Sequence, residues 1–285
     1  MHPNTELGEV KLKVSNIERS TKFYEEVVGL KILKQAGNTA QFTADGHTAL
    51  LVIEEIPNAV IVPPRSTKGL YHFAILVPNR KELGFSLRNL IRHGIRIGQA
   101  DHLVSEALYI SDPDHNGIEI YADRPRESWK RDAQGNYRMA TDPIDWEGLL
   151  EEAGEQPWSG LPSETIMGHV HFHVGDLQTT KRFYCDILSF DVTVSMMNMG
   201  ALFVSAGGYH HHLGLNVWAG VGAPAAPSNG TGLAYYTIVL PNQSELEHTL
   251  EQLRKAEVSL KEQDGSWFAK DPSGIGIRFI AKAEA

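Results

Sequence analysis

The sequence has almost no cysteine and no long apolar run. Cys185 is the only cysteine among 285 residues, so an internal disulfide is excluded and a reducing compartment is favoured. No apolar stretch approaches the roughly 20 residues that a membrane-spanning helix needs. The residues from Met1 to Glu6 contain neither a basic start nor an apolar run, so we expect no signal peptide. Together these absences predict a soluble, cytoplasmic protein with no membrane partner.

Positive charge is also scarce. The chain has 26 Lys and Arg against 35 Asp and Glu, which gives a formal net charge of −9. Nucleic-acid binding needs a surplus of basic side chains, so a nucleic-acid partner is not expected. Cys185 lies in a predicted helix, where a buried structural thiol is favoured over a nucleophile.

The chain does contain an internal repeat. Gly8-Glu9-Val10 and a following Phe-Tyr pair recur as Gly168-His169-Val170 and a second Phe-Tyr pair. The segment that begins at Gly69-Leu70 recurs in the same way from Gly232-Leu233. Each copy has a strand with alternating apolar residues, an amphipathic helix and three short strands. We name these four βαβββ units A (about residues 7–56), B (69–124), A′ (166–219) and B′ (231–282).

This order predicts an α+β protein with two domains, each built from a pair of units with a cupped mixed sheet. We expect the first domain at residues 1–125 and the second at 165–285. Residues 126–164 would be a linker with a short helix from Asp142 to Leu150. The basic residues Arg124, Arg126, Lys130 and Arg131 at its start could bind an anion, although a solvated linker is favoured.

Two units carry ligand-type side chains that their partners lack. His72 lies in an apolar strand of unit B, and Tyr235 takes its place in B′. Glu119 of unit B is likewise replaced by Arg278. Alone, His72 would be interpreted as a core histidine and Glu119 as a surface carboxylate. Their joint loss from B′ indicates that they act together in B.

Unit A′ is rich in histidine. His169, His171 and His173 alternate along one strand face, where unit A carries Glu9, Lys11 and Lys13. His210 and His212 share a second face in the run from Tyr209 to Leu213. A solvated strand face and a surface histidine cluster are the alternatives. His72 and Glu119 with His169 give two imidazoles and one carboxylate, the set that holds Fe(II) and leaves sites open.

A further motif supports this chemistry: His102, then Leu108-Tyr109, Asp112-Pro113 and Glu119. With it, the chain resembles the vicinal oxygen chelate superfamily, which contains glyoxalases, bleomycin resistance proteins and extradiol dioxygenases. It is most similar to type I extradiol enzymes of the bacillus catechol 2,3-dioxygenase type. Ala100 and His115 depart from the motif, but neither position supplies a ligand.

The resemblance implies an Fe(II)-dependent enzyme, with Mn(II) possible, that opens a catechol or substituted catechol with O₂ to a 2-hydroxymuconic semialdehyde-type product. It implies that His72, Glu119 and His169 bind the metal and that His212 is the catalytic base. His102 and Tyr109 would donate hydrogen bonds to the bound oxygens. The expected partners are thus a small aromatic diol and O₂. A homo-oligomer is possible because sheet edges in such units often pair.

Two points stay open in the sequence. Pairing A with B would give a site of Glu9, His72 and Glu119, as in a glyoxalase-type isomerase or lyase. Pairing B with A′ accounts better for the histidines of A′ and is favoured. The familiar arrangement within the C-terminal half would offer His169, Tyr235 and Arg278, which cannot hold iron. A non-catalytic protein that sequesters a ligand is the third alternative, and the ligand-type residues count against it.

Overall fold

A computed structural model of the protein describes residues 1–283, which contain two eight-stranded mixed sheets. Each of the four units has the expected order of one strand, one helix and three strands. Unit A comprises β1 (Glu6–Val14), α1 (Ile17–Lys22) with a π-helical continuation (Phe23–Val28), β2 (Lys31–Ala36), β3 (Thr39–Thr43) and β4 (Ala49–Glu55). Unit B comprises β5 (Gly69–Leu76), α2 (Arg80–Arg92), β6 (Gly98–Asp101), β7 (Ser105–Ser111) and β8 (Gly117–Asp123).

The second half repeats this order after a short connecting helix. A 3-10 turn (Arg126–Ser128) and α3 (Trp146–Ala153) lie between the halves. Unit A′ comprises β9 (Ile166–His173), α4 (Leu177–Lys181) with a π-helical continuation (Arg182–Ile187), β10 (Asp191–Met196), a 3-10 turn (Met197–Met199), β11 (Ala201–Ser205) and β12 (Leu213–Asn216). Unit B′ comprises β13 (Gly232–Leu240), α5 (Gln243–Lys255), β14 (Lys261–Gln263), β15 (Ser266–Lys270) and β16 (Gly276–Ala281).

The helix that follows the first strand of each unit begins at a capping side chain. Asn16, Asn79, Asp176 and Asn242 each accept a hydrogen bond from the backbone N–H three residues ahead. In unit A the helical segment ends at Gly29, whose φ of 91° lies in the left-handed region that glycine favours. The helix between the halves begins at Trp146 with Asp145 as its cap, so the expected start at Asp142 is wrong.

The two sheets cross the division between the halves. One sheet has the order β14-β15-β16-β13-β1-β4-β3-β2 and therefore joins units A and B′. The other has the order β10-β11-β12-β9-β5-β8-β7-β6 and joins units A′ and B. This is the favoured pairing of B with A′. The sheets do not follow the expected boundary between residues 1–125 and 165–285, because β5 pairs with β9 and β1 with β13.

One apolar core lies between the sheets and their helices. It includes Val10 and Tyr236 from the A/B′ sheet and Phe73 and Phe172 from the A′/B sheet. No helix within residues 1–283 is long and apolar enough to cross a membrane. Cys185 is half-buried, and burial raises the pKa of its thiol to about 11, as suits a structural residue.

Two matching hydrogen bonds connect the sheets. The Tyr24 hydroxyl donates to Asp112 Oδ2 at 2.7 Å, and the Tyr184 hydroxyl donates to Asp271 Oδ2 at 3.2 Å. Each aspartate also accepts backbone N–H bonds in the turn before the last strand of its unit. These turns therefore fix the units of one sheet against those of the other.

Asp271→Asn should change the pH dependence of stability. Burial raises the pKa of Asp271 from 3.8 to about 6, so its contribution to folding is complete below pH 3.8 and is lost as the pH rises through 6. We expect the free energy of unfolding of the variant, relative to wild type, to rise between pH 4.5 and 7.5. Urea unfolding at several pH values measures this difference, and the rise should be at most about 3 kcal/mol. Asp264→Asn in an exposed turn is the control, and parallel curves for Asp271→Asn and wild type would contradict the prediction.

Candidate metal centre and active site

Three central strands of the A′/B sheet bring His72, Glu119 and His169 together. Ala74 of β5 lies opposite His169 of β9 and opposite Glu119 of β8. His72 lies two residues before Ala74 and therefore on the same face of β5. The small, fully buried side chain of Ala74 leaves the space between the two flanking residues open. The three residues thus meet because strands from both halves of the chain are neighbours.

The three side chains form the one group of His, Cys, Asp and Glu within residues 1–283 that could hold a metal ion. His169 Nε2 lies 3.0 Å and His72 Nε2 3.1 Å from Glu119 Oε2, and all three residues are buried. His72 Nε2 makes no well-formed hydrogen bond in spite of this proximity. A buried nitrogen without a hydrogen-bond partner, next to a second imidazole and a carboxylate, fits a divalent metal ion.

The electrostatics of the cluster favour the ligand forms of these residues. Burial by itself would raise the pKa of Glu119, but His169 and His72 hold it well below the usual range. Burial lowers the pKa of His72, and Glu119 offsets this only in part. Near neutral pH the site therefore presents a carboxylate and a neutral imidazole, which are the forms that bind a metal.

The other sheet has the same three positions filled differently. Glu9, Tyr235 and Arg278 occupy the places of His169, His72 and Glu119. The Tyr235 hydroxyl donates to Glu9 Oε1 at 2.8 Å, and Arg278 Nη1 donates to the same oxygen at 2.7 Å. Glu9 is therefore engaged in a different sheet and does not join His72 and Glu119. The alternative site of Glu9, His72 and Glu119 is wrong for this reason.

The other two histidines of β9 line the same face but lie outside the metal cluster. Asn216 connects them: its Oδ1 lies 2.6 Å from His173 Nδ1, and its Nδ2 donates to His171 Nε2 at 2.9 Å. Both histidines are buried, so the solvated strand face is wrong. Burial lowers the pKa of His171 well below its usual value, and the rings of Tyr71 and Trp218 pack against it.

His102 and Tyr109 form a pair beside the cluster. His102 Nδ1 lies 2.7 Å from the Ala140 carbonyl, which can only accept a hydrogen bond. In the neutral ring His102 Nε2 must then accept, and the Tyr109 hydroxyl lies 2.7 Å from it. Burial raises the pKa of Tyr109 well above its usual value, and the nearby Glu119 raises it further. Tyr109 therefore keeps its proton, and His102 orients it.

The run of three histidines before β12 is arranged differently from the sequence prediction. His212 is held by Ser205 Oγ at 2.8 Å and by the Ala206 N–H at 3.2 Å, both bonded to its Nδ1. The ring of His211 instead lies against His169, with 4.1 Å between the ring centroids. Strand alternation, which would place His210 and His212 on one face, does not hold over residues 210–212, because β12 begins only at Leu213. The Gly207-Gly208 turn was the signal that alternation does not hold here.

The segment between the halves covers part of this face. Trp129 and Tyr137 are buried against Val194 and Tyr209, and Ala140 holds His102. Arg124 pairs with Asp101 at 2.8 Å and is not free to bind an anion. Arg126, Lys130 and Arg131 are exposed, as expected of a solvated linker, whereas Trp129 and Tyr137 of the same stretch pack against the sheet.

A cavity at one edge of the sheet leads towards the cluster. It has a volume of about 550 Å³ and lies beside His72 and Tyr109, with Tyr71 and His173 in its lining. Its size is suitable for a small aromatic ligand. The face thus combines a cluster that could hold a metal, a phenol, several imidazoles and room for a ligand.

This fold and this cluster define a class of protein. A family model of the Glyoxalase/Bleomycin resistance protein/Dioxygenase superfamily matches residues 6–120 and 166–279, and the chain belongs to that family. Among curated proteins, the chain is 54% identical over 281 residues to "Catechol-2,3-dioxygenase" of Bacillus subtilis (strain 168), covering 98% of this chain and 99% of the relative.

Solved structures support the same fold at low sequence identity. Glyoxalase I of Zea mays is 15% identical with a TM-score of 0.56, and the match covers 98% of this chain and 92% of that one. The CppA protein of Streptococcus pneumoniae TIGR4 is also 15% identical, with a TM-score of 0.54 over 97% and 100% of the two chains. At this identity the likeness concerns the fold alone.

His169→Ala should remove metal binding. The variant loses one of three ligands from a site that water cannot easily complete, since the site is buried. After anaerobic incubation with one equivalent of Fe(II) and desalting, we expect roughly one metal per wild-type chain and almost none in the variant, by elemental analysis. His248→Ala on an exposed face of α5 is the matched control. A full equivalent of metal in His169→Ala would contradict the assignment of His169 as a metal ligand.

Proposed function

We propose that the protein is an extradiol dioxygenase that opens the ring of catechol, or of a substituted catechol, with O₂ to give a 2-hydroxymuconic semialdehyde-type product. The observation that carries the proposal is the buried group of His72, Glu119 and His169 beside a cavity of ligand size. The 54% identity to a catechol-2,3-dioxygenase over nearly the whole chain supports the same chemistry.

His72, Glu119 and His169 would hold the metal. Two imidazoles and one carboxylate suit Fe(II), which we propose as the natural ion, and Mn(II) is the alternative. When bound, such an ion supplies a Lewis acid that lowers the pKa of a diol and leaves positions open for substrate and O₂. Glu119 would compensate part of the charge of such an ion, since the two imidazoles hold the pKa of its carboxyl well below the usual range.

The chain itself supplies the proton transfers. His211 is the base that we propose for a catechol hydroxyl, since its ring lies 4.1 Å from that of the ligand His169. Burial, followed by the charges of His169 and His210, lowers the pKa of His211 well below its usual value. The ring is therefore neutral and able to accept a proton. Tyr109 keeps its proton and donates it in the hydrogen bond to His102 Nε2, so its hydroxyl oxygen can accept a hydrogen bond from a substrate hydroxyl, in place of the donation expected from the sequence.

The surroundings of the site exclude water. Trp129, Tyr137 and Phe203 contribute apolar surface near the histidines. Exclusion of water strengthens each electrostatic contact and protects a reactive diol from competing reactions. A ligand-sequestering protein would not need three buried ligand-type side chains around one point. An isomerase that uses Glu9 is disfavoured because Arg278 and Tyr235 engage that carboxylate.

Oxygen uptake tests the proposed reaction. Protein reconstituted anaerobically with Fe(II) and mixed with catechol should consume one O₂ per catechol when air is admitted, and a yellow ring-opened product should form. The measurement combines an oxygen electrode with absorbance. The metal-free protein is the control. No uptake by protein that is shown to contain iron would contradict the proposal.

His211→Ala and His212→Ala separate the two candidate bases. Loss of the base should lower kcat by about 10²–10⁴-fold, so His211→Ala should show a decrease of that order and keep its metal. His212→Ala should affect kcat much less, since its Nδ1 accepts the Ala206 N–H, which leaves the hydrogen of a neutral ring on Nε2 and no free nitrogen to accept a proton. Turnover and metal content of both variants are the measurements. The reverse order of effects would return the role to His212.

A further inference from the structure

We propose that Asp123 and His210 form a hydrogen-bonded chain that fixes the tautomer of His211, so that His211 Nε2 is the unprotonated nitrogen that accepts the substrate proton. The catalytic part of this inference rests on the proposed function, but the tautomer itself does not. Asp123 and His210 are positioning residues in this account, since they act through His211.

The three residues form a continuous chain at the end of β8. Asp123 is the last residue of β8 and lies on the same face as Glu119, four residues earlier. Its Oδ1 lies 2.9 Å from His210 Nε2, and His210 Nδ1 lies 2.7 Å from His211 Nδ1. His210 has no exposed surface and His211 has 5%, so water does not compete for these bonds within the pair.

The order of donors follows from the acceptor at the end of the chain. A carboxylate can only accept, so His210 Nε2 must carry a hydrogen and donate to Asp123. In a neutral His210 ring the remaining nitrogen, Nδ1, is then an acceptor. His211 Nδ1 must therefore carry the hydrogen of the 2.7 Å bond. This leaves His211 Nε2 with a free lone pair.

The free nitrogen belongs to the ring that contacts the metal cluster. No hydrogen bond engages His211 Nε2 within residues 1–283, and the ring packs against His169. Because His210 occupies Nδ1, Nε2 is the only nitrogen of His211 left to meet a ligand. The same chain fixes the plane of the ring, as outer hydrogen bonds do for metal-bound histidines.

The surroundings hold His210 in place. Its ring lies against those of Tyr209 and Trp129, at centroid distances of 4.1 and 5.1 Å. The Thr193 hydroxyl donates to the His210 carbonyl at 2.6 Å. The middle member of the chain therefore cannot turn without breaking contacts on several sides.

The A/B′ sheet has neither this hydrogen-bonded chain of side chains nor the metal cluster. Lys282 stands at the position of Asp123, and its ammonium pairs with Glu6 at 2.6 Å. Unit A has Thr48 where A′ has His210. The hydrogen-bonded chain and the metal cluster are thus present in the A′/B sheet and absent from the A/B′ sheet, which is expected if they serve one reaction.

Nitrogen NMR tests the tautomer directly. We would load the full-length, ¹⁵N-histidine-labelled protein with diamagnetic Zn(II) and assign His210 and His211 by the signals lost in His210→Gln and His211→Gln. The expected spectrum shows a protonated, pyrrole-type Nδ1 and an unprotonated, pyridine-type Nε2 for His211. A protonated Nε2 with an unprotonated Nδ1 in His211 would overturn the proposal, because His210 would then be doubly protonated.

Turnover of Asp123 variants tests the consequence. Asp123→Asn replaces a group that can only accept by an amide that can also donate, which lets His210 turn its donor the other way, so we expect kcat to fall by about 10–100-fold with KM changed less than about twofold. Asp123→Glu should recover part of kcat. Metal content should remain at the wild-type value, and Asp264→Asn in the turn between β14 and β15 is the isosteric control. Unchanged kcat in Asp123→Asn would also overturn the proposal.

The two measurements separate this inference from the proposed function. If the wild-type protein shows no ring cleavage but His211 has the expected tautomer, the proposed function fails and the hydrogen-bond order stands. If ring cleavage occurs but His211 carries its proton on Nε2, the proposed order of hydrogen bonds is wrong and the proposed function stands. The wild-type spectrum decides the tautomer even if the Asp123 variants do not fold.

Discussion

The antiparallel pairing of β5 with β9 is the interaction on which the site depends. It places His169, from the second half of the chain, beside Glu119 and His72 from the first half. Without this pairing each half would contain only part of a ligand set. Because backbone hydrogen bonds fix the register of the two strands, they also fix the distance between the imidazoles. The chemistry of the protein therefore follows from the connection between its repeats.

The two sheets show alternative ways to compensate a carboxylate on the same scaffold: Glu9 is half-buried and Glu119 is buried. In the A/B′ sheet, Arg278 and Tyr235 bind Glu9, and the charge is compensated within the protein. In the A′/B sheet, no Lys or Arg within residues 1–283 pairs with Glu119, whose contacts are the imidazoles of His72 and His169, so its negative charge remains available to a cation. One sheet of the repeated fold thus uses these positions for a structural ion pair, and the other sheet, the chemical copy, uses them for the metal cluster. The hydrogen-bonded chain of Asp123, His210 and His211 accompanies only the chemical copy.

Much of this arrangement could be predicted from the sequence, since the copies of the repeat act as controls for one another. The α+β fold of four units follows from strand and helix periodicity, and Tyr235 and Arg278 drew attention to His72 and Glu119. His211 was missed because alternation was extended into a loop. The packing of Trp129 and Tyr137 was missed because composition does not show which surface a linker covers. Oligomeric state and compartment stay predictions.

Anomalous diffraction at the iron edge, from crystals of Fe(II)-loaded protein, tests the assembly of the site across the halves most directly. The account predicts one anomalous peak per chain, at about 2.0–2.2 Å from His72 Nε2, His169 Nε2 and a Glu119 carboxylate oxygen, in the range of nitrogen and oxygen ligands to such ions. Bonds to residues from both halves would then be seen in a single map. A peak near Glu9, or one without His169 as a ligand, would contradict the account.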